Sequence, residues 1–327
     1  MDGPLVAIVG PTGAGKSELG LHVARTFPAE IVNCDSLQVY RHFDIGTAKP
    51  PPEERAAVPH HLIDVAEPGE VFTAGDYARR ARRALAEIAG RGRLPVLVGG
   101  TGLYLRALLG GLFAGPGRDE AMRTRLAARE QRRQGSLHRL LGRFDAAAAL
   151  RIHPNDIRKL VRALEVCLLT RRPLSALQAG GTRPLAGFAA LTIGLNPPRG
   201  ELYRRLDARC RAMFERGLVG EVRRILDLGW DPESKPFQSL GYRHALEHLR
   251  GQLTLDQALA LAERDTRRYA KRQWTWFHRE PGVVWLDGFG GEAEIQASAR
   301  AILYRFLTGF SDFVSNSGGT KTRLDRI

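Results

Sequence analysis

Lys16 and Ser17 close the run Gly10-Pro11-Thr12-Gly13-Ala14-Gly15-Lys16-Ser17, which has the spacing G-x-x-x-x-G-K-[ST] of a phosphate-binding loop. Glycines at these steps let the backbone curl so that successive N–H groups face an anion. Lys16 adds a full positive charge, and the Ser17 hydroxyl can ligate a magnesium ion. The plain alternative is a glycine-rich turn that binds nothing. The apolar run before the loop and the helical segment after it argue for the phosphate reading, because a helix N-terminus favours an anion. Asp35, within Asn33-Cys34-Asp35-Ser36-Leu37-Gln38-Val39-Tyr40, offers a carboxylate that could hold magnesium or take a proton as a general base. A helix N-cap or turn aspartate is the competing reading. Thr101, within Gly99-Gly100-Thr101-Gly102-Leu103-Tyr104, offers a hydroxyl to a phosphate oxygen, against the competing reading of a tight strand-to-helix turn.

The elements around these residues are those of a parallel α/β sheet. Short apolar runs at 5–9, 30–33 and 94–98 read as strands, with helices after the loop and at about 75–89. In such a sheet the carboxyl ends of the strands line the ligand crevice, so Lys16, Asp35 and Thr101 are expected to converge there. A Gly/Pro break at 114–117 precedes an Arg-, Ala- and Leu-rich stretch, 118 to about 177, with helical periodicity. Residues 191–195 return to the sheet. Helices are expected at 199–228, 242–250 and 255–276, then a last strand at 283–286 and a last helix at 293–307. The tail from Thr308 is rich in Ser, Gly, Thr and charge, and disorder is predicted there. The expected organisation is a P-loop-type parallel sheet flanked by helices, built from 1–117 and 190–307. An inserted, mostly helical domain at 118–189 and a tail at 308–327 complete it.

The chain of 327 residues carries 49 Lys and Arg against 35 Asp and Glu, a formal net charge of +14. That excess points to a polyanionic partner, nucleic acid first, or else to an Arg-rich composition with no such meaning. Cys34, Cys167 and Cys210 are widely spaced and form no C-x-x-C pair, so neither a zinc site nor a disulfide framework is expected, and a reducing, cytosolic setting fits. No apolar run has the length of a membrane span, and the first residues lead straight into a strand rather than a signal peptide. His60 and His61 lack a third ligand at suitable spacing and read as structural. Asn155 can cap a helix carrying Arg158, Lys159 and Arg162, three cations that could grip backbone phosphates or form a solvated face. The segment 264–277 interleaves basic and aromatic residues, and Trp274 and Phe277 are expected in the core. The loop taken alone fits a small-molecule or nucleoside kinase using ATP, or a nucleic-acid-binding NTPase switch.

Taken together, GPTGAGKS (10–17), DSLQVY (35–40), DIGTAKP (44–50), HHLID (60–64), GGTGLY (99–104), RALEV (162–166), QSLGY (238–242) and RRYAKRQWTWF (267–277) resemble the bacterial tRNA dimethylallyltransferases. The segments occur in family order from residue 5 to about 290. The resemblance implies transfer of a dimethylallyl group from dimethylallyl diphosphate to N6 of the adenine 3′ of the anticodon, with tRNA and the diphosphate as partners. It implies that Gly10, Pro11, Thr12, Gly13, Ala14, Gly15, Lys16 and Ser17 hold the diphosphate leaving group rather than ATP, with Mg2+ on Ser17. Asp35 would be the general base on N6, and Ser36, Leu37 and Gln38 would contact the target base and its neighbours. Thr101 would touch the diphosphate or the tRNA, and Arg123 would sit by the reaction channel. Relatives often read N-D-P-Q-R-x-x-R where this chain has Asn155-Asp156-Ile157-Arg158-Lys159-Leu160-Val161-Arg162. Basic character is kept for phosphate contact, but a glutamine amide at position 158 is not. A monomer in the cytoplasm is expected, without the C-terminal zinc finger of eukaryotic relatives.

Overall fold

Leu5-Val6-Ala7-Ile8-Val9 has no polar face to turn toward water, so both faces of the strand it forms must be covered. In the computed structural model, which describes residues 2–310, this run lies in β1 (Gly3–Val9), fully buried from Leu5 to Ile8. The other strands are β2 (Ala29–Asn33), β3 (His60–His61), β4 (Leu94–Val98), β5 (Phe188–Leu195) and β6 (Val283–Leu286). They form one parallel sheet in the order β3-β2-β4-β1-β5-β6. β1 is central, with Val6 opposite Val96 on one side and Leu191 on the other.

Helices cover this sheet. α1 (Lys16–Thr26), α2 (Pro52–Ala57) and α3 (Ala74–Gly90) fall among the first four strands, and α4 (Gly102–Leu109) follows β4. A separate unit, Leu109–Leu185, holds α5 (Glu120–Arg132), α6 (Ser136–Phe144), α7 (Ala146–Arg151), α8 (Ile157–Thr170) and α9 (Leu174–Ala179) around Leu137, Leu141, Leu160 and Leu164. The chain up to Leu108 and from Ala186 onward forms the α/β unit. Its later helices are α10 (Arg199–Glu215), α11 (Leu218–Asp227), α12 (Tyr242–Leu249), α13 (Leu255–Phe277) and α14 (Ala293–Leu307). Apolar residues of α1 and α14, among them Leu19, Val23, Ala299 and Leu303, close over Val6, Ile8 and Ile193. At about 1.5–3 kcal/mol for each large side chain removed from water, this interface anchors the strand and helix that flank the loop joining β1 to α1.

Four local expectations change. The helix expected over 199–228 is two, because Gly217 adopts φ 95° and separates α10 from α11. β3 is only two residues long and has no apolar run to mark it. α8 is capped by Asp156, whose carboxylate accepts from Lys159 N at 3.2 Å; the neighbouring Asn155 instead donates its backbone N–H to His153 Nδ1. Phe277 is buried as expected, but Trp274 is 42% exposed. The Trp274 indole N–H reaches Asn196 Oδ1 at 2.7 Å and its ring rests on His278, so one face is covered and the other is left to solvent. The tail expected to be disordered from Thr308 lies, beyond Phe310, outside the described residues.

Candidate active site

The loop after β1 is held from three sides. Gly15 has φ 85°, and a Cβ there would lie 2.7 Å from Gly290 N, whose N–H donates to Ala14 O at 2.9 Å. The Gln273 side chain on α13 accepts from Thr12 N at 2.8 Å and donates to Gly100 O at 2.8 Å, so one amide joins this loop to the loop after β4. Gly100 has to be glycine for that contact, since a Cβ would come 2.2 Å from Gln273 Nε2. Lys16 Nζ donates to Pro11 O at 2.7 Å. Thr12, Gly13, Gly15, Lys16 and Ser17 line a cavity of about 550 Å³, whereas Gly10, Pro11 and Ala14 do not.

Asp35 follows β2 and lines the same cavity. Its Oδ1 accepts from Leu37 N at 2.8 Å and Gln38 N at 3.4 Å, while its own N–H donates to Asn33 Oδ1 at 3.0 Å. These bonds fix the carboxylate and leave Oδ2 without a hydrogen bond among the described residues. Leu37 and Gln38 also line the cavity, and Gln38 Nε2 donates to Thr47 O and Ala48 O, both at 3.2 Å. Ser36 and Thr101 do not line it: Thr101 Oγ1 accepts from Ser36 N at 3.0 Å. Their observed role is to tie the end of β2 to the start of α4.

Electrostatics set this site apart. Burial pushes the Lys16 ammonium down to about 8, with Asp35 opposing that shift and Arg209 adding to it. Arg209, on α10, is also pushed down by burial, with Asp35 as its main opposing charge. Neither Lys16 nor Arg209 forms an ion pair within 4 Å among the described residues. Arg205, one turn before Arg209, lines the cavity and stacks over the Phe289 ring at 3.7 Å. No sequence motif assigns a role to Arg205, Arg209 or Gln273. The available signal was the spacing of Arg205, Arg209 and Met213 at successive turns of one helix, with no acid four residues from Arg209.

The other motifs brace the cavity and in part line it: Gly46 to Pro50, His60, Ile63, Leu240 and Gly241 all face it. Lys49 Nζ, buried, donates to Tyr40 O, Asp44 Oδ1 and Asp64 Oδ1 at 2.6–2.9 Å. Glu221 accepts from the N–H of Asp44 and Ile45, and Tyr242 donates to Glu221 while accepting from Gly46 N. His61 pairs with buried Glu30 at 2.7 Å, and His60 Nδ1 with Val58 O at 2.7 Å. Among the described residues no cluster of three or more His, Cys, Asp and Glu could hold a metal ion, and no helix is long and apolar enough to cross a membrane.

In the helical unit, Arg123 and Arg162 meet at Glu165, whose side chain is fully buried. Arg123 donates to both carboxylate oxygens at 2.7 Å and Arg162 to one at 2.6 Å, with Asp119 N at 2.8 Å completing the set. Burial pushes Glu165 up, but these donors outweigh it and hold the carboxyl down at about 2. Arg162 also donates to Pro116 O at 3.0 Å. Arg158 and Lys159 are exposed on α8, Lys159 paired with Asp156 at 2.7 Å.

A parallel sheet with this loop after its central strand defines an α/β protein of the P-loop type. The chain belongs to the IPP transferase family, whose model matches residues 38–280. It is 61% identical to the tRNA dimethylallyltransferase of Solibacter usitatus and 55% identical to that of Koribacter versatilis, covering 93% of this chain and 99% of each relative. The solved full-length tRNA isopentenylpyrophosphate transferase of Bacillus halodurans superposes with a TM-score of 0.68 at 38% identity, over 96% of this chain and 98% of that one. A eukaryotic dimethylallyltransferase solved while acting on tRNA superposes with a TM-score of 0.77 at 28% identity, over 98% and 81%. Membership in this family sets the kinase reading aside.

Proposed function

We propose that this chain transfers the dimethylallyl group of dimethylallyl diphosphate to the exocyclic N6 of the adenine 3′ of the anticodon in tRNA, releasing diphosphate. The observation that carries the reading is a single cavity lined by two half-buried cations without carboxylate partners, Lys16 and Arg209, beside a fixed carboxylate with a free oxygen, Asp35. The cations suit a diphosphate, and the carboxylate suits a weakly basic amine that must lose a proton. In the reaction the C1–O bond of the allylic substrate breaks and its electron pair leaves on the diphosphate. N6 forms the new bond to C1, and its proton passes to Asp35 Oδ2. Lys16, Arg209 and the loop N–H groups stabilise the charge that develops on the leaving group. Thr12 N is taken by Gln273 and Ala14 N by Pro11 O, so the amides of Gly13, Gly15, Lys16 and Ser17 are the ones offered.

Ser17 lines the cavity next to Lys16 and its hydroxyl makes no hydrogen bond among the described residues, so it fits a magnesium ligand. With no acidic cluster nearby, such an ion would take its remaining ligands from diphosphate and water, neutralising leaving-group charge. The target base must leave the anticodon loop to reach Asp35, a step eased by its single-stranded setting. Gln38 stands ready to contact it. Arg158 and Lys159 are the exposed cations offered on α8 to backbone phosphates, Lys159 from its surface pair with Asp156, while Arg162 and, on α5, Arg123 are held by the buried Glu165.

The test is incubation with unmodified tRNA and either dimethylallyl diphosphate or ATP, followed by mass analysis of the tRNA nucleosides. Addition of a C5 unit to adenosine without ATP is expected. ATP consumption with unchanged nucleosides would overturn the reading.

A further inference from the structure

We infer that the same cavity limits the transferred chain to one isoprene unit, and that Met213 and Leu218 set the limit. The inference rests on the transfer reading above. Helices α10 and α13 run antiparallel beside the cavity: Asp207 pairs with Arg267, Cys210 Sγ lies 3.6 Å from Thr266 Oγ1, and Arg211 pairs with Glu263 at 3.0 Å. Their shared wall changes character along its length. Near the phosphate loop it presents Arg205 and Arg209; one turn further it presents Met213 from α10 and Ala262 from α13. It ends at Leu218, the first residue of α11, which is fully buried. Leu218 is seated against two glycines, its methyls lying 2.9 Å and 3.3 Å from where a Cβ would stand on Gly46 and Gly241. The chain reaches that position through the left-handed turn at Gly217.

This is a slot with Arg205 and Arg209 at one end and the apolar Met213, Ala262 and Leu218 beyond, the exposed Arg216 also lining it, and the two ends match an anion attached to a hydrocarbon. Its length sets the size of the hydrocarbon. Four residues of helix advance about 6 Å, so Met213 stands about 6 Å beyond Arg209. An isoprene unit built of C–C bonds of about 1.5 Å spans about 5 Å. With the diphosphate at Lys16 and Arg209, one unit reaches Met213. A second would have to occupy the space that Met213 and Leu218 fill.

The experiment measures transfer to unmodified tRNA from dimethylallyl diphosphate and from its ten-carbon homologue, geranyl diphosphate, for the wild type, Met213→Ala and Ala262→Leu. The wild type is expected to favour the five-carbon donor in kcat/KM by a factor of about 10–200, the range a pocket achieves per small apolar group. Met213→Ala should raise the geranyl-to-dimethylallyl ratio at least about tenfold, and Ala262→Leu should raise KM for dimethylallyl diphosphate. If Met213→Ala fails to fold, Met213→Val removes less volume and should shift the ratio in the same direction. An unchanged ratio in a folded variant that still transfers the five-carbon group overturns the inference alone, as does equal use of both donors by the wild type. A wild type that transfers neither overturns the transfer reading, and this inference with it.

Discussion

Two clusters of half-buried cations occur in this chain, one in each unit, and they differ in one respect. In the helical unit, Arg123 and Arg162 close on Glu165, and every charge has its counter-charge within hydrogen-bonding distance. In the α/β unit, Lys16 and Arg209 line a cavity with Asp35 near enough to be felt but not paired. A charge withdrawn from water is costly unless paired, so the first cluster is complete as it stands, while the second offers an anion two counter-charges that no carboxylate has taken. The comparison separates a structural cluster from a binding site more sharply than residue type does, since both contain arginine and a carboxylate.

The largest expected effect tests the carboxylate that stays unpaired. Asp35→Asn should lower kcat by about 10²–10⁴, the range for loss of a general base, while tRNA affinity in a filter-binding assay holds. Turnover close to wild type would remove Asp35 from the chemistry. Next comes the paired carboxylate. Glu165→Ala strands two arginines and should cost about 3–5 kcal/mol in denaturant unfolding of the full chain. The same group predicts a pH dependence. Its folded value of about 2 lies below the usual 4.5, so its contribution is complete above about pH 4.5 and is lost as pH falls through 2. Glu165→Gln should therefore flatten the acid limb of the unfolding curve, and an unchanged limb would contradict the assignment.

Arg209→Ala should behave in the opposite way. KM for dimethylallyl diphosphate should rise about 10- to 150-fold, from about 1.5–3 kcal/mol for a charge-assisted hydrogen bond, with little loss of stability. Inorganic diphosphate should raise the Tm of the wild type more than that of the variant. A variant that unfolds readily but binds diphosphate normally would invert the comparison. The smallest effect belongs to the exposed pair: reversing the charge of Arg158 and Lys159 should weaken tRNA binding at low salt and reduce its salt dependence. Affinity unchanged at low salt would clear α8 of phosphate contact.

What the sequence disclosed follows from which forces are local. β1 and β4 were legible because strands covered on both faces read as unbroken apolar runs. The loop and Asp35 were legible because glycine spacing and strand ends are local too. Arg209 was not, since its lack of a partner is a fact about distant chain segments. Nor was the closure of Arg123 and Arg162 on Glu165, whose members lie up to 42 residues apart. Trp274 misled because a tryptophan in an aromatic run reads as core, and only the placement of Asn196 and His278 shows that it keeps one face wet.

The bond from Thr12 N to Gln273 spans 261 residues. It sets an order of assembly. A ribosome making this chain completes the glycine loop almost at once, yet the amide that holds it is added only when most of the protein has been synthesised. Until α13 docks, Thr12 N–H and Gly100 O lack that partner, and the cavity has no finished wall. Such distant contacts form late and slowly, so anion-binding competence should appear in refolding after the strands have paired, as a final step rather than a property of the nascent N-terminal fold.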